Sequence, residues 1–238
     1  MNVYQTRDFL ELVNGNPYMG RGIIAGESES GKAVSAYFIM GRSANSRNRV
    51  FAVKNGEVFT RPFDPSKVED PSLIIYAALR SFENHLVFTN GDQTDTIVDG
   101  LKEGRSFFAS LETRDFEPDA PNFTPRISAR IKFEKAMFTY DLSILKSVDE
   151  KGSATARYGF SYPAVPGLGH FIHTYVGDGN PLPSFQGEPK RVKIPRSIDE
   201  FTDGIWNALN RDNRISLYVR FTDPKTRLYE ERLINQNQ

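Results

Sequence analysis

Three polar clusters carry side chains able to hold an anion or move a proton. The first is Gly41-Arg42-Ser43-Ala44-Asn45-Ser46-Arg47-Asn48-Arg49. It has three arginines and no acid, and guanidinium forks match the oxygens of phosphate or carboxylate. A solvated basic loop is the other reading. The second cluster is Thr89-Asn90-Gly91-Asp92-Gln93-Thr94-Asp95-Thr96. Strand-to-helix turns expose N–H groups and hydroxyls that can hold a ligand, although Thr94 or Asp95 could equally cap a helix. The third is Asp115…Glu117…Asn122…Thr124-Pro125-Arg126. A carboxylate in a proline-fixed loop is pre-organised and can serve as acid or base, or can simply pair with Arg126.

These clusters need elements to position them. Leu10, Leu12 and Val13 give a short N-terminal helix, ended by Asn14-Gly15-Asn16-Pro17. Strands are expected at Tyr18–Ala25 and Ala33–Met40, joined by a polar turn. Arg49–Lys54 and Glu57–Pro62 flank Asn55-Gly56, a hairpin signal. A helix is expected next, with Asp70 as N-cap and Pro71 in its first turn. Leu73, Ile74, Ala77, Ala78 and Ser81 would share its buried face. Tyr76 and Arg80 would then sit together off that face, one turn apart.

His85–Thr89 reads as a strand. A helix starts near Ile97 and another spans about Ser106–Thr113. Residues 115–126 form a shaped loop, because Pro118, Pro121 and Pro125 forbid regular helix. Strands follow at about Ile127–Phe133, Ala136–Ser147, Ala154–Tyr162 and His170–Val176. Asn180–Pro195 reads as an irregular excursion. Ser197-Ile198-Asp199-Glu200 resembles a capping box opening a helix through Leu209. Ile215–Phe221 and Arg227–Ile234 form a last hairpin. Strands, then helices, then strands, without repeat or clear linker, predict one α+β domain over residues 1–238.

Composition excludes several functions. Thirty basic residues balance thirty acidic ones, so a nucleic-acid binder lacks its basic excess. The absence of cysteine removes disulfides, zinc–thiolate sites, iron–sulfur clusters and a thiol nucleophile. No run approaches the roughly 18 apolar residues of a membrane span. The start lacks the pattern of a signal peptide, so a soluble cytoplasmic protein is the expectation. There is no Walker or Gly-x-Gly-x-x-Gly motif. His170 and His173, three apart in a strand, point to opposite faces and make no metal site. The His170–Tyr175 segment reads as core strand.

The clusters, in this order, resemble the archaeal-type IMP cyclohydrolase family. The matching residues are Tyr18-Met19-Gly20-Arg21, Arg42-Ser43 with Arg47 and Arg49, Pro71 and Tyr76, Asn90-Gly91 with Thr94-Asp95-Thr96-Ile97, Asp115-Phe116-Glu117, and Thr124-Pro125-Arg126-Ile127. The resemblance runs through about residues 17–131. It implies a four-layer αββα fold like that of N-terminal-nucleophile hydrolases. It also implies the last step of purine synthesis, dehydrative closure of 5-formamidoimidazole-4-carboxamide ribotide to IMP, with no metal or cofactor. The small-molecule ribotide would be the partner, with neither nucleic acid nor membrane involved, and a homo-oligomer is compatible with such a fold. By motif, the catalytic residues would be Arg47, Tyr76 and Glu117, with Arg49 the alternative arginine in a longer loop. Arg42, Ser43, Arg49, Asn90, Thr94, Asp95, Thr124 and Arg126 would bind substrate.

Two other classes are open. An N-terminal-nucleophile amidohydrolase needs a Cys, Ser or Thr at its mature amino terminus. Removal of Met1 would expose Asn2, and Gly152-Ser153 is the least implausible internal processing site. A purine-ribotide binding protein without catalysis is the third.

Overall fold

A computed structural model describes residues 2, 4–68 and 75–237. It is α+β, with two mainly antiparallel sheets and few helices. The first sheet is built from β1 (Arg21–Glu27), β2 (Ala33–Met40), β10 (Leu168–His173), β11 (Lys190–Lys193), β12 (Arg214–Thr222) and β13 (Tyr229–Asn235), in the spatial order β11-β10-β1-β2-β12-β13. The second runs in chain order through β3 (Val50–Lys54), β4 (Glu57–Arg61), β5 (Ala77–Phe82), β6 (His85–Thr89), β7 (Arg126–Glu134), β8 (Met137–Ser147) and β9 (Thr155–Pro163).

Side chains alternate across a strand, so a strand buried on both faces reads as a nearly continuous apolar run. Strand β2 is such a case: all of Ala33–Met40 is buried. Tyr37 and Ile39 face the second sheet with Ile23, Phe88, Ile131, Leu142 and Tyr218. Ala36, Phe38 and Met40 face the other way, with Ile24, Phe171 and Leu217. That outer face is covered by helix α1 (Phe9–Val13) and helix α5 (Ile198–Ala208) through Phe9, Ile198, Phe201 and Ile205. On the far face of the second sheet, α3 (Gln93–Lys102) and α4 (Phe107–Ser110) place Ile97, Val98 and Phe107 on Val87 and Leu145. Each such apolar side chain, fully buried, contributes on the order of 1.5–3 kcal/mol.

Local chemistry sets several boundaries. Asn55 and Gly56 both have positive φ (54° and 75°), as a type I′ hairpin turn requires, and they join β3 to β4. Ser197 Oγ accepts the Glu200 N–H at 3.3 Å and opens α5. Ser106 Oγ does the same for α4, accepting from Ala109 at 3.2 Å.

One expected element is overturned where the described residues cover it. Residues 77–82 are not the end of a helix but strand β5, paired with β4 and β6. The i, i+3, i+4 pattern of Ala77, Ala78 and Ser81 is overridden by tertiary context, because the segment fills the gap between two strands and supplies ladder bonds to both. The Tyr76–Arg80 pairing disappears with the helix. Arg80 instead reaches Asp95 at 2.7 Å and Glu57 at 3.3 Å, while Tyr76 is buried between the sheets. Asp70, Pro71, Leu73 and Ile74 lie outside the described residues. Strand β11 (Lys190–Lys193) lies inside residues 180–195, the expected irregular excursion, and pairs with β10. Other shifts are small. Helix α3 begins at Gln93 rather than near Ile97, and β1 and β10 start and stop a few residues from their expected ends.

Gly20 leads into β1 at φ 73°, and a Cβ there would lie 2.2 Å from Thr174 Oγ1 and 2.6 Å from the Tyr175 ring. Gly20→Ala should therefore cost about 2 kcal/mol or more, from backbone strain and overpacking. A thermal melt indistinguishable from wild type would contradict this packing.

Candidate active site

A cleft of about 530 Å³ opens where β1 begins and β2 ends. Its walls come from four chain segments. Tyr18 and Arg21 lead into β1. Arg42, Ser43 and Arg49 come from the loop after β2, Glu117, Asp119 and Thr124 from the proline loop, and Tyr175 from the chain after β10.

At the centre, the Arg21 guanidinium meets Glu117 Oε2 at 3.3 Å, with both residues buried. Burial opposes the charge on Arg21, but Glu117 and the surrounding tyrosine hydroxyls more than offset it. The guanidinium is thus held above its ordinary value. Burial pushes the Glu117 carboxyl above the ordinary 4.5, while Arg21, Arg126 and Arg49 pull against that rise without cancelling it. A carboxyl raised in this way is poised to exchange protons nearer neutral pH.

Arg49 is the second buried guanidinium. It is 7% exposed, its Nε has no hydrogen-bond partner, and no carboxylate of the described residues lies within ion-pair distance. Burial and then the positive charge of Arg21 push its pKa down. Arg47 points elsewhere: it donates to Gly41 O at 3.2 Å and to Asn213 Oδ1 at 3.1 Å, and it does not line the cleft. A reciprocal Ser43–Ser46 capping box explains the difference. It closes a short turn, α2 (Ala44–Arg47), that carries Arg47 outward before the chain returns with Arg49. Arg42 sits at the rim, 4.9 Å from the centre of the Tyr18 ring, and pairs with Asp178.

The proline loop is held from inside. Thr124 N–H donates to Asp119 Oδ1 at 2.7 Å, and Glu117 N–H donates to Thr124 O at 2.9 Å. The Thr124 hydroxyl also bonds Asp119 Oδ2 and the Tyr175 hydroxyl, forming a chain of three polar groups on the cleft wall. Below the cleft, the Tyr76 hydroxyl lies 2.7 Å from that of Tyr37. Burial raises the pKa of Tyr76, although it lies close enough to Arg21 and Arg49 for their charges to oppose the rise. It stays a neutral hydroxyl near neutral pH.

Of the residues singled out from the sequence, the structure thus gathers Arg42, Ser43, Arg49, Glu117 and Thr124 around one cleft, with Tyr76 beneath it. The second cluster stands apart. Asn90 donates to Pro125 O at 2.9 Å and accepts from Ile127 N–H at 2.8 Å, which staples the end of the proline loop. Thr94 is buried against Thr89 Oγ1 at 2.7 Å, and Asp95 is exposed and paired with Arg80. Arg126 donates to Asp92 at 2.7 Å and Gln93 at 2.8 Å. None of these four lines the cleft.

Sequence reasoning did not single out Arg21, Asp119 or Tyr175 as site residues. Tyr18-Met19-Gly20-Arg21 held the signal for Arg21: a positive-φ glycine packed on Thr174, followed by a buried arginine. Tyr175 gave none, because a tyrosine at a strand end reads as core. His170 and His173 do face opposite ways. His170 stacks on Tyr162 at 3.6 Å between ring centres, and His173 packs against Phe171 and Phe185. Ser153 sits in the turn between β8 and β9, away from the cleft, and its N–H is bonded to Asp149. Among the described residues no group of three His, Asp or Glu could hold a metal ion, and no helix is long and apolar enough to cross a membrane.

Fold and cleft define an α+β protein with a buried, arginine-rich cleft. Residues 18–226 match the family described as IMP cyclohydrolase-like protein, and the chain belongs to that family. The match reaches well into the second half, beyond the motifs between residues 17 and 131. An IMP cyclohydrolase of Methanopyrus kandleri is 31% identical over 185 residues, covering 71% of this chain and 89% of the relative. One from Methanococcus maripaludis strain S2 is 34% identical over 146 residues, covering 58% and 71% respectively. One from Methanocella arvoryzae is 35% identical over 118 residues, covering 47% and 56%.

Removing Arg21 leaves Glu117 buried without its ion-pair partner, so Arg21→Met should destabilise the protein by about 3–5 kcal/mol near neutral pH. The sign with pH follows from Glu117. Its folded pKa lies above the unfolded one, so the native state holds more protons than the unfolded state between the two values, and stability rises as pH falls through that window. Thermal melts should show the deficit of Arg21→Met shrinking from about pH 8 to about pH 5. A deficit independent of pH would remove the charge of Glu117 from the account.

Proposed function

We propose that the protein is an IMP cyclohydrolase, closing 5-formamidoimidazole-4-carboxamide ribotide to IMP with loss of water. The observation that carries this reading is Arg49, a buried guanidinium without a counter-ion, facing a cleft that also holds the Arg21–Glu117 pair. Family membership and the named relatives support it. The packing of helices outside two facing sheets supports a four-layer αββα sandwich of the N-terminal-nucleophile-hydrolase type, over a single domain of residues 1–238.

The reaction is intramolecular, so orientation matters most. Fixing both amide arms in the closing rotamer can supply up to roughly 7–11 kcal/mol in well-oriented systems. Arg42 and Ser43 at the rim anchor the phosphate, and that remote binding energy is spent on orientation. The carboxamide nitrogen attacks the formyl carbon and a C–N bond forms. That nitrogen loses one proton to Glu117, and the former formyl oxygen, now negative, is met by Arg49. Glu117 returns its proton to that oxygen, giving a hydroxyl. The formamide nitrogen then gives up its proton as the hydroxyl takes a second one and leaves as water, which restores Glu117. Tyr76 and Tyr37 provide neutral hydroxyl dipoles beneath the two arginines. Thr124, held by Asp119 and Tyr175, fixes the wall against which the ribotide lies.

Purified protein mixed with the formylated ribotide should form IMP above the spontaneous rate, followed by absorbance. No excess over background sinks the reading, and tight ribotide binding without turnover would leave a binding protein. Glu117→Gln should lower kcat by about 10²–10⁴-fold, the usual span for a lost general acid–base group. Arg49→Ala should cost far more turnover than Arg47→Ala, and the reverse order would return the role to Arg47. The acid limb of the wild-type kcat/KM profile should fall above the ordinary glutamate value of 4.5, because burial raises Glu117 and activity is lost as it protonates. Loss of that limb in Glu117→Gln is the check.

A further inference from the structure

A second and larger cleft, of about 800 Å³, lies along the edge strand β11 and shares no lining residue with the first. Its size suits a small-molecule ligand. The N-terminal arm forms one wall. Arg7 bridges Val192, its N–H donates to Arg191 O at 3.3 Å, and its carbonyl accepts from Lys193 N–H at 2.8 Å. This brings Arg7 beside Lys190 and Arg191, and all three residues line the cleft.

The three cations lack counter-ions. No carboxylate of the described residues comes within ion-pair distance of any of them. Glu11 and Glu188 stand on the walls but are exposed and pair with none of the three. Arg191 Nε is shut off from solvent and has no hydrogen-bond partner. Lys190 feels this environment: burial and then the charge of Arg7 push its pKa down. Arg7 and Lys190, without anions, repel one another, and an incoming anion relieves that repulsion. Tyr162, stacked on buried His170, gives the same cleft an aromatic surface.

We propose that this cleft is a second ligand site that takes a phosphorylated small molecule, its phosphate groups held by Arg7, Lys190 and Arg191. Guanidinium forks and an ammonium match the oxygens of two linked phosphates, and at the start of an edge strand their long side chains can reach one ligand from both faces. The site does not depend on the reading of the first cleft, and its test uses binding rather than turnover.

Calorimetry with pyrophosphate at constant ionic strength tests it. The full chain carrying Arg42→Ala and Arg49→Ala, which disables the first cleft, should still bind one pyrophosphate. Adding Arg7→Gln and Arg191→Gln should weaken that binding roughly tenfold or more, the scale of lost charged hydrogen bonds. No binding in the first variant, or binding unmoved by the added changes, overturns the proposal. If the combined variant does not fold, hydrogen exchange on the wild-type protein decides. Pyrophosphate should protect amides at residues 5–8 and 188–193, and unchanged exchange there overturns the site. A nucleoside diphosphate gives the comparison arm. Affinity above that of pyrophosphate supports the site with the base on Tyr162, and equal affinity supports it with phosphate contacts alone.

Discussion

Arg21 and Glu117 meet at 3.3 Å where water scarcely reaches, and much of the surrounding architecture answers to the cost of bringing them there. A buried charge without partners is worth several kcal/mol against folding. The arginine comes from the start of β1 and the glutamate from a loop nearly a hundred residues later, so the pair forms only when both sheets are assembled. Arg49 then adds a third charge that the protein itself leaves unbalanced. The site is strained electrostatically in the direction that an anionic ligand would relieve. The rigid core between the sheets keeps the three groups from relaxing apart.

The second polar cluster shows how such a pair is held in place. Asn90 spends its amide on the backbone on both sides of Arg126, and Gln93 with Asp92 receives the Arg126 guanidinium. Thr124, Asp119 and Tyr175 tie the other end of the same loop to the first sheet. The carboxylate of Glu117 is therefore backed by bonds made further along the chain, between Asp119 and Ile127. Residue types that resemble ligand contacts in the sequence act here as supports for the residue that faces the cleft. A fixed carboxylate loses less in orientation at each proton transfer than one on a free loop.

Charge is arranged by place rather than by amount. The chain is neutral overall, yet the first cleft holds Arg49 and the second Arg7 and Arg191, none of them within ion-pair distance of an acid among the described residues. Acids outside the clefts are paired with other arginines: Asp92 with Arg114 and Arg126, Asp141 with Arg130, Asp199 with Arg232. Local imbalance of this kind attracts anions without giving the surface the general basic character of a nucleic-acid binder.

The sequence by itself determined whatever depends on neighbours along the chain. The Asn55-Gly56 turn, the Ser106 and Ser197 caps, the largely apolar run of β2 and the proline loop after residue 115 follow from backbone preference and from burial on one or two faces. Arg42, Ser43, Arg49, Glu117 and Thr124 were legible as a group only through the resemblance of their ordered motifs to one family, because by type alone each also reads as a surface-loop or ion-pair residue. Tertiary structure alone decided the rest. Residues 77–82 carry a helical repeat yet become a strand, because two neighbouring strands need a partner between them. The choice between Arg47 and Arg49 for the cleft turns on one short capped turn, whose direction depends on the strand it leaves. Arg21 and Tyr175 reach the cleft only because β1 and β10 pair side by side, a contact spanning some 150 residues that no local pattern encodes.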